Sequence, residues 1–169
     1  MIYNGKINSG GLKFERTQDL VKISNKVLEF KFHISKLVNI NIEGDILILD
    51  SNSKAQLNTA ISILKSWIIG FEKPYVKELE IAGVGYWVKK EGDVLTFKLR
   101  YSHLVNYTLP KDIDCKLMGT RKIILSSINK QLVGQVSQNI VDICRPNPYR
   151  RNGIYIIGKY YPIKKSSKG

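Results

Sequence analysis

Short apolar runs with a period of two fill most of the chain, and two longer stretches switch to helical spacing. From Val27 to Phe32 the side chains alternate, with Leu28, Phe30 and Phe32 on one face and Val27, Glu29 and Lys31 on the other. Leu37 to Ile42 repeats the pattern, Glu43-Gly44-Asp45 signals a turn, and Ile46 to Leu49 forms a return strand. Further strands are predicted over Val76–Ile81, Tyr86–Lys89, Val94–Leu99, Val105–Leu109, Asp114–Met118 and Lys122–Leu125. Glu91-Gly92-Asp93 is a near copy of the first turn. Residues 1–26 are polar, with Gly10-Gly11, and predict a loose start with one edge strand.

The first helical stretch begins after Ser53, an N-cap with Gln56 at capping-box spacing. Leu57, Ala60, Ile61, Leu64, Trp67 and Ile68 make its apolar stripe, and Gly70 is placed to end it. The second begins after Asn129, with Ile128 and Val133 spaced for a hydrophobic staple and Leu132, Val136, Ile140 and Ile143 as its stripe. Strands followed by a helix thus occur twice, which predicts a duplicated α+β fold. It has two similar tandem units, each a small, mostly antiparallel sheet packed on one helix. The expected bounds are 1–73, a divergent N-terminal unit; 74–145, a C-terminal unit; and 146–169, a basic tail that contacts RNA.

A chain of 169 residues buries roughly 70% of its unfolded surface, enough for a real core. Its net charge of +13 narrows the partner to a polyanion, nucleic acid or an acidic membrane face. The excess is concentrated at the end. Arg145, Arg150, Arg151, Lys159, Lys164, Lys165 and Lys168 fall within residues 143–169, which contain no acid. No apolar run approaches the ~20 residues of a membrane span, so membrane insertion is not expected. Cys115, Cys144, His33 and His103 are isolated and give neither zinc spacing nor a disulfide framework. No nucleophile elbow, metalloprotease helix, phosphate loop or paired-cysteine motif is present, and Gly83-Val84-Gly85 is followed by a strand rather than a helix. The glycines there predict a bulge or a close backbone approach. The expectation is a protein without catalysis or cofactor.

The binding signal lies in Asn129–Tyr155. Gly134 costs about 1 kcal/mol in a helix interior, which predicts a strand or a partner close to the backbone there. Gln131, Gln135, Gln138 and Asn139 give the helix polar, uncharged hydrogen-bonding positions, of which Gln138 and Asn139 equally fit a solvated face, and Lys130 is a further candidate contact. Beyond it, Pro146 and Pro148 stiffen the chain, Tyr149 and Tyr155 offer rings, and Arg145, Arg150 and Arg151 offer guanidinium groups. Gly153 leaves a backbone amide free to approach a phosphate. Lys159 follows in the tail. Proline stiffness, rings and arginines together fit RNA, because a preformed contact loses less entropy on docking. A second candidate is Arg100-Tyr101-Ser102-His103, where Arg100, Ser102 and His103 can reach sugar or phosphate.

These residues resemble the universal large-subunit ribosomal protein six family over about Ala60 to Tyr155. The resemblance rests on four anchors in order: Gly83-Val84-Gly85-Tyr86; Tyr101-Ser102-His103; Asn129-Lys130-Gln131 with Val133-Gly134-Gln135; and Arg145-Pro146-Asn147-Pro148-Tyr149 ending at Gly153-Ile154. It implies a duplicated α+β structural component of the large ribosomal subunit. It further implies that the C-terminal domain and tail bind large-subunit rRNA near the sarcin–ricin region. Neighbouring ribosomal proteins are implied as partners, and translation factors would dock nearby. Tyr149, Arg150 and Gly153 are implied as the core of the rRNA contact, supported by Ser102, His103, Gln131 and Gln135. The alternative is a non-ribosomal RNA- or DNA-binding regulatory protein on a similar scaffold.

The chain departs from the family where Arg151 replaces a glycine, Asn152 a lysine, Leu104 a proline and Arg100 a glycine. Ile and Asn are abundant, and Lys outnumbers Arg by 21 to 6, as an A+T-rich genome encourages. The start, MIYNGKINSGGLKF, carries neither a signal-peptide core nor an Arg-rich presequence. The expectation is an organelle-encoded protein of the mitochondrial matrix, with a bacterial cytoplasm or a plastid as alternatives.

Overall fold

Every run of alternation predicted between residues 27 and 127 coincides with a strand in the computed structural model, which describes residues 3–8, 13–17, 20–24, 29–33, 38–43 and 46–165. Val27, Leu28, Leu37, Gly10-Gly11 and the Gly44-Asp45 turn lie outside the described residues. The chain groups into two units, Met1–Glu72 and Lys73–Gly169.

In the first unit, β1 (Tyr3–Asn8), β5 (Val38–Glu43) and β6 (Ile46–Ser51) form an antiparallel sheet of order β1-β6-β5. Leu49 is the register centre, opposite Gly5 on one side and Ile40 on the other. A second antiparallel sheet is made from β2 (Lys13–Thr17), β3 (Leu20–Ser24) and β4 (Glu29–His33) in chain order. Residues 1–26 therefore hold three strands where one was expected, because each is short and its polar composition hides the alternation. Helix α1 (Lys54–Glu72) packs on the first sheet, burying Leu57, Ala60, Leu64 and Trp67 against Leu47 and Leu49. Ile61 and Ile68 flank this stripe, half-buried. Gly70 does not end the helix. It is buried within α1, which runs on to Glu72 and stops where Pro74 bars Lys73 from helical geometry.

The second unit repeats the plan. Strands β7 (Tyr75–Ala82), β11 (Asp114–Met118) and β12 (Lys122–Ser127) pair in the order β11-β12-β7, as β5, β6 and β1 do before them. The meander of β8 (Trp87–Glu91), β9 (Val94–Lys98) and β10 (Val105–Thr108) stands in the same chain position as β2-β3-β4. Helix α2 (Lys130–Ile143) closes the unit, capped by Asn129, whose Oδ1 accepts from the amides of Gln131 at 3.0 Å and Leu132 at 3.2 Å.

Among the described residues, one element has no counterpart in the first unit. Strand β13 (Gly153–Ile156) adds to the free side of β7, with Ile154 opposite Ile81 and Ile156 opposite Leu79. The segment expected as a separate tail thus begins as part of the sheet. The fourth strand also explains a shift in α2. The helix contacts β7, β12 and β13, so its buried arc widens to Val133, Val136, Ser137, Ile140 and Val141, with Leu132 and Ile143 only half-buried at its margin. Ile81, Leu95, Phe97, Ile123, Leu125 and Ile154 lie at the centre of this core, each no more than 1% exposed.

Candidate nucleic-acid interface

The segment between α2 and β13 is a clasped turn. Asn147 donates its amide to the carbonyl of Asn152 at 2.9 Å and accepts the amide of Arg151 at 3.0 Å. Its side-chain Oδ1 accepts from the amides of Tyr149 at 2.8 Å and Arg150 at 3.2 Å. One asparagine thereby satisfies most of the turn's backbone and fixes how Tyr149, Arg150 and Arg151 project. All three side chains are exposed.

Arg151 carries the strain of this arrangement. Its φ is +54°, the left-handed region, and it is the one described non-glycine residue with positive φ. A glycine would take this conformation without penalty, so Arg151 places a guanidinium on a backbone shape that suits glycine. Arg100 does not share this left-handed conformation.

Gly153 serves the fold. It is buried, has φ +135°, and faces the Arg145–Pro146 backbone so closely that a side chain would collide with it. The close backbone approach it permits is to the chain's own turn. Gly134 shows the converse: a Cβ there would meet nothing within 4 Å, so the strand expected beside it is absent. Instead Gly134 borders a shallow concavity with Ser137, Gly158, Lys77 and Lys159. At Gly83 the close neighbour is the ring of Tyr86, which folds back over it, and Val84 at the tip is fully exposed.

The residues after β13 fold back toward the turn. Gly158 reverses the chain at φ +88°, and the Tyr161 hydroxyl accepts from the amide of Ile156 at 3.1 Å. The rings of Tyr155 and Tyr161 meet edge to face, with centroids 5.1 Å apart. The Lys164 amide donates to the Pro148 carbonyl at 3.1 Å, tying the returning chain to the turn. Between them lies a cavity of about 350 Å³, walled by Pro146, Pro148, Tyr155, Tyr161 and Ile163, with Ala82 and Arg151 also facing it. Burial holds the Tyr155 phenol above its ordinary range, and the Arg151 charge opposes that shift.

The second candidate loop joins the first. Tyr101 donates its hydroxyl to the carbonyl of Ile143 at 2.8 Å, at the C-terminal end of α2. The Arg100 guanidinium lies 5.4 Å from the Tyr101 ring, and the His103 ring stacks on that of Tyr101 with centroids 5.9 Å apart. Arg100, Ser102 and His103 are exposed near the start of the turn, and Arg145 there donates to Asp142 at 2.8 Å. That bond, with a second from Gln138, holds the Asp142 carboxyl below its usual range.

Lys130 and Gln131 do not join this group. They occupy the opposite end of α2, roughly 20 Å away at 1.5 Å per residue, where the Lys130 ammonium lies 5.9 Å from the Tyr75 ring. Gln135 lies partway along, exposed. Lys159 sits beyond β13, 5.8 Å from the ring of Tyr161. Sequence patterning missed Tyr161, Pro162 and Ile163, and the proximity of tyrosine and proline to a cationic run was the signal available. Cys115 and Cys144 are free and buried, which pushes both thiols up. No described helix is long and apolar enough to cross a membrane.

Two tandem sheet-and-helix units, the second carrying a clasped basic turn, define an α+β protein. The Ribosomal protein L6 family model matches residues 82–155, from the end of β7 through β13. The large ribosomal subunit protein uL6 of Listeria monocytogenes is 33% identical over 137 residues, covering 78% of this chain and 77% of that protein. The uL6 of Fervidobacterium nodosum is 30% identical over 164 residues, 90% of this chain and 89% of its own, and that of Lacticaseibacillus casei is 29% identical over 162 residues, 94% and 92%. The chain belongs to the ribosomal protein L6 family, as a structural, non-enzymatic protein of the large ribosomal subunit.

Proposed function

We propose that the chain binds large-subunit rRNA through its second unit, with the Asn147-clasped turn as the primary contact. The observation that carries this reading is the fixed exposure of Tyr149, Arg150 and Arg151 on a segment that contains seven cations and no acid from residue 143 onward. Arg100, Ser102, His103 and Arg145 extend the contact at the end of α2, and Lys159 extends it beyond β13. Gly153 and Tyr155 support the turn from β13. Lys130, Gln131 and Gln135 form a separate polar strip along α2, suited to a second RNA segment or a neighbouring ribosomal protein. The contact lies near the sarcin–ricin and factor-binding region, close to translation factors. Native protein sedimented at raised magnesium is expected with large subunits, and finding it wholly in the soluble fraction would sink the reading. Hydroxyl-radical cleavage from an iron chelate at position 149 is expected to cut the sarcin–ricin region.

The compartment we propose is the mitochondrial matrix, on the Lys-over-Arg, Ile- and Asn-rich composition. The bacterial origin of the relatives favours a bacterial cytoplasm as the second reading. Hybridisation of the gene to purified organellar DNA decides between them.

A further inference from the structure

We propose that the cavity between the Pro146–Arg151 turn and the returning chain holds one unstacked nucleobase, with Arg151 on the adjoining phosphate. The inference rests on the RNA-binding reading above and names what the bound RNA places there. The cavity, about 350 Å³, falls within the range of small-ligand pockets, ~300–1,000 Å³, too small for a folded element. Its walls are the flat or rigid surfaces on which bases pack: the proline rings of the turn on one side, and Tyr155 and Tyr161 on the other.

Those walls are preformed. The Tyr161 hydroxyl is committed to the Ile156 amide, its ring is braced against Tyr155, and Lys164 ties the returning chain to Pro148. A base entering orders nothing further, so stacking is gained without a matching loss of freedom.

The charge around it selects a nucleotide over an apolar protein side chain. Arg151 faces the cavity, and Arg150, Lys164 and Lys165 are its neighbours in the two enclosing segments, so these cations outnumber the carboxylate that the adjoining strand pairs in register with Tyr155, that of Glu80. An unstacked base always brings a phosphate with it, which a protein side chain does not. Arg151 is also held in a backbone conformation that disfavours any residue but glycine, the kind of strain that persists where a side chain is needed.

The test uses the full chain and two RNA hairpins, identical except that one carries a single bulged 5-iodouridine. Fluorescence anisotropy at fixed low salt gives both affinities, and ultraviolet crosslinking followed by peptide mapping gives the contact. The bulged hairpin is expected to bind about fivefold or more tightly than the other, with the crosslink on Tyr155 or Tyr161. Ala82→Leu fills the cavity floor and removes no charge, and Ile163→Trp fills it from the exposed side without burdening the sheet. Either folded variant should reduce the bulged hairpin to the affinity of the plain one. Arg151→Gly should weaken the bulged hairpin more than the plain one. Equal affinity of the wild-type chain for both hairpins, or a crosslink confined to the exposed rings of Tyr149 or Tyr160, overturns the base site and leaves the RNA contact standing. Failure of the wild-type chain to bind either hairpin overturns both.

Discussion

A Cβ placed on Gly153 would stand 2.7 Å from the Cα of Pro146 and 2.9 Å from the Arg145 carbonyl oxygen, so strand β13 and the end of α2 are joined by direct backbone contact. Gly153→Ala meets immovable atoms there and a φ of +135° as well. We expect a loss of roughly 2–4 kcal/mol in the second unit. The Ile154 amide, which donates to the Cys144 carbonyl at 3.0 Å, reports it. Its hydrogen exchange should accelerate about thirtyfold or more. Unchanged exchange would mean that β13 pairs without the close approach.

Arg151→Gly should separate stability from function. The left-handed conformation costs a side chain about 1–2 kcal/mol, and glycine's greater freedom in the unfolded chain returns part of that. The variant is expected to be more stable by about 0.5–1 kcal/mol in denaturant unfolding while binding RNA more weakly. A variant that is both less stable and equally tight would contradict the strain at φ +54°.

Gly134→Ala is expected to stabilise. A methyl group at this position meets nothing within 4 Å, and alanine favours the helix by about 1 kcal/mol over glycine. Equilibrium unfolding of the full chain measures it. A loss of stability would show that a neighbouring element occupies the space beside α2.

Electrostatics sets the salt dependence of binding. If all seven cations of residues 143–169 meet phosphates on a duplex, the slope of log affinity against log salt is roughly −6. Replacing Arg150 and Arg151 together with alanine should make it shallower by about 2. Affinity that ignores salt would refute the phosphate contact.

The strands from β4 to β12 and both helices were legible because local patterning dictates them. A half-buried strand alternates with period two and a packed helix repeats near 3.6, and neither needs knowledge of its partner. β13 was not legible. Its four residues follow two prolines and begin with a glycine, read locally as a turn, and become a strand only because β7 offers a free edge beside them. The same four-stranded sheet widened the buried face of α2 beyond the stripe of Leu132, Val136, Ile140 and Ile143.

At the candidate site the structure separates residues that the sequence reading had grouped. Tyr149, Arg150 and Arg151 stand exposed as their types require. Gly153 proved to be a packing residue, since glycine permits close approach without naming what approaches. Gln131 was grouped with the turn by the family resemblance, although a 14-residue helix holds it roughly 20 Å from the turn.

By itself, then, the sequence determined the duplicated α+β plan and the basic end, and made a polyanion partner the expectation, because periodicity and charge are local or additive properties. The tertiary structure alone decided that the last segment returns, pairs with β7 and walls a cavity with Tyr161 and Ile163. Those contacts join residues distant in the chain, and the backbone bonds from Ile154 to Cys144 and from Lys164 to Pro148 exist only once the sheet has brought them together.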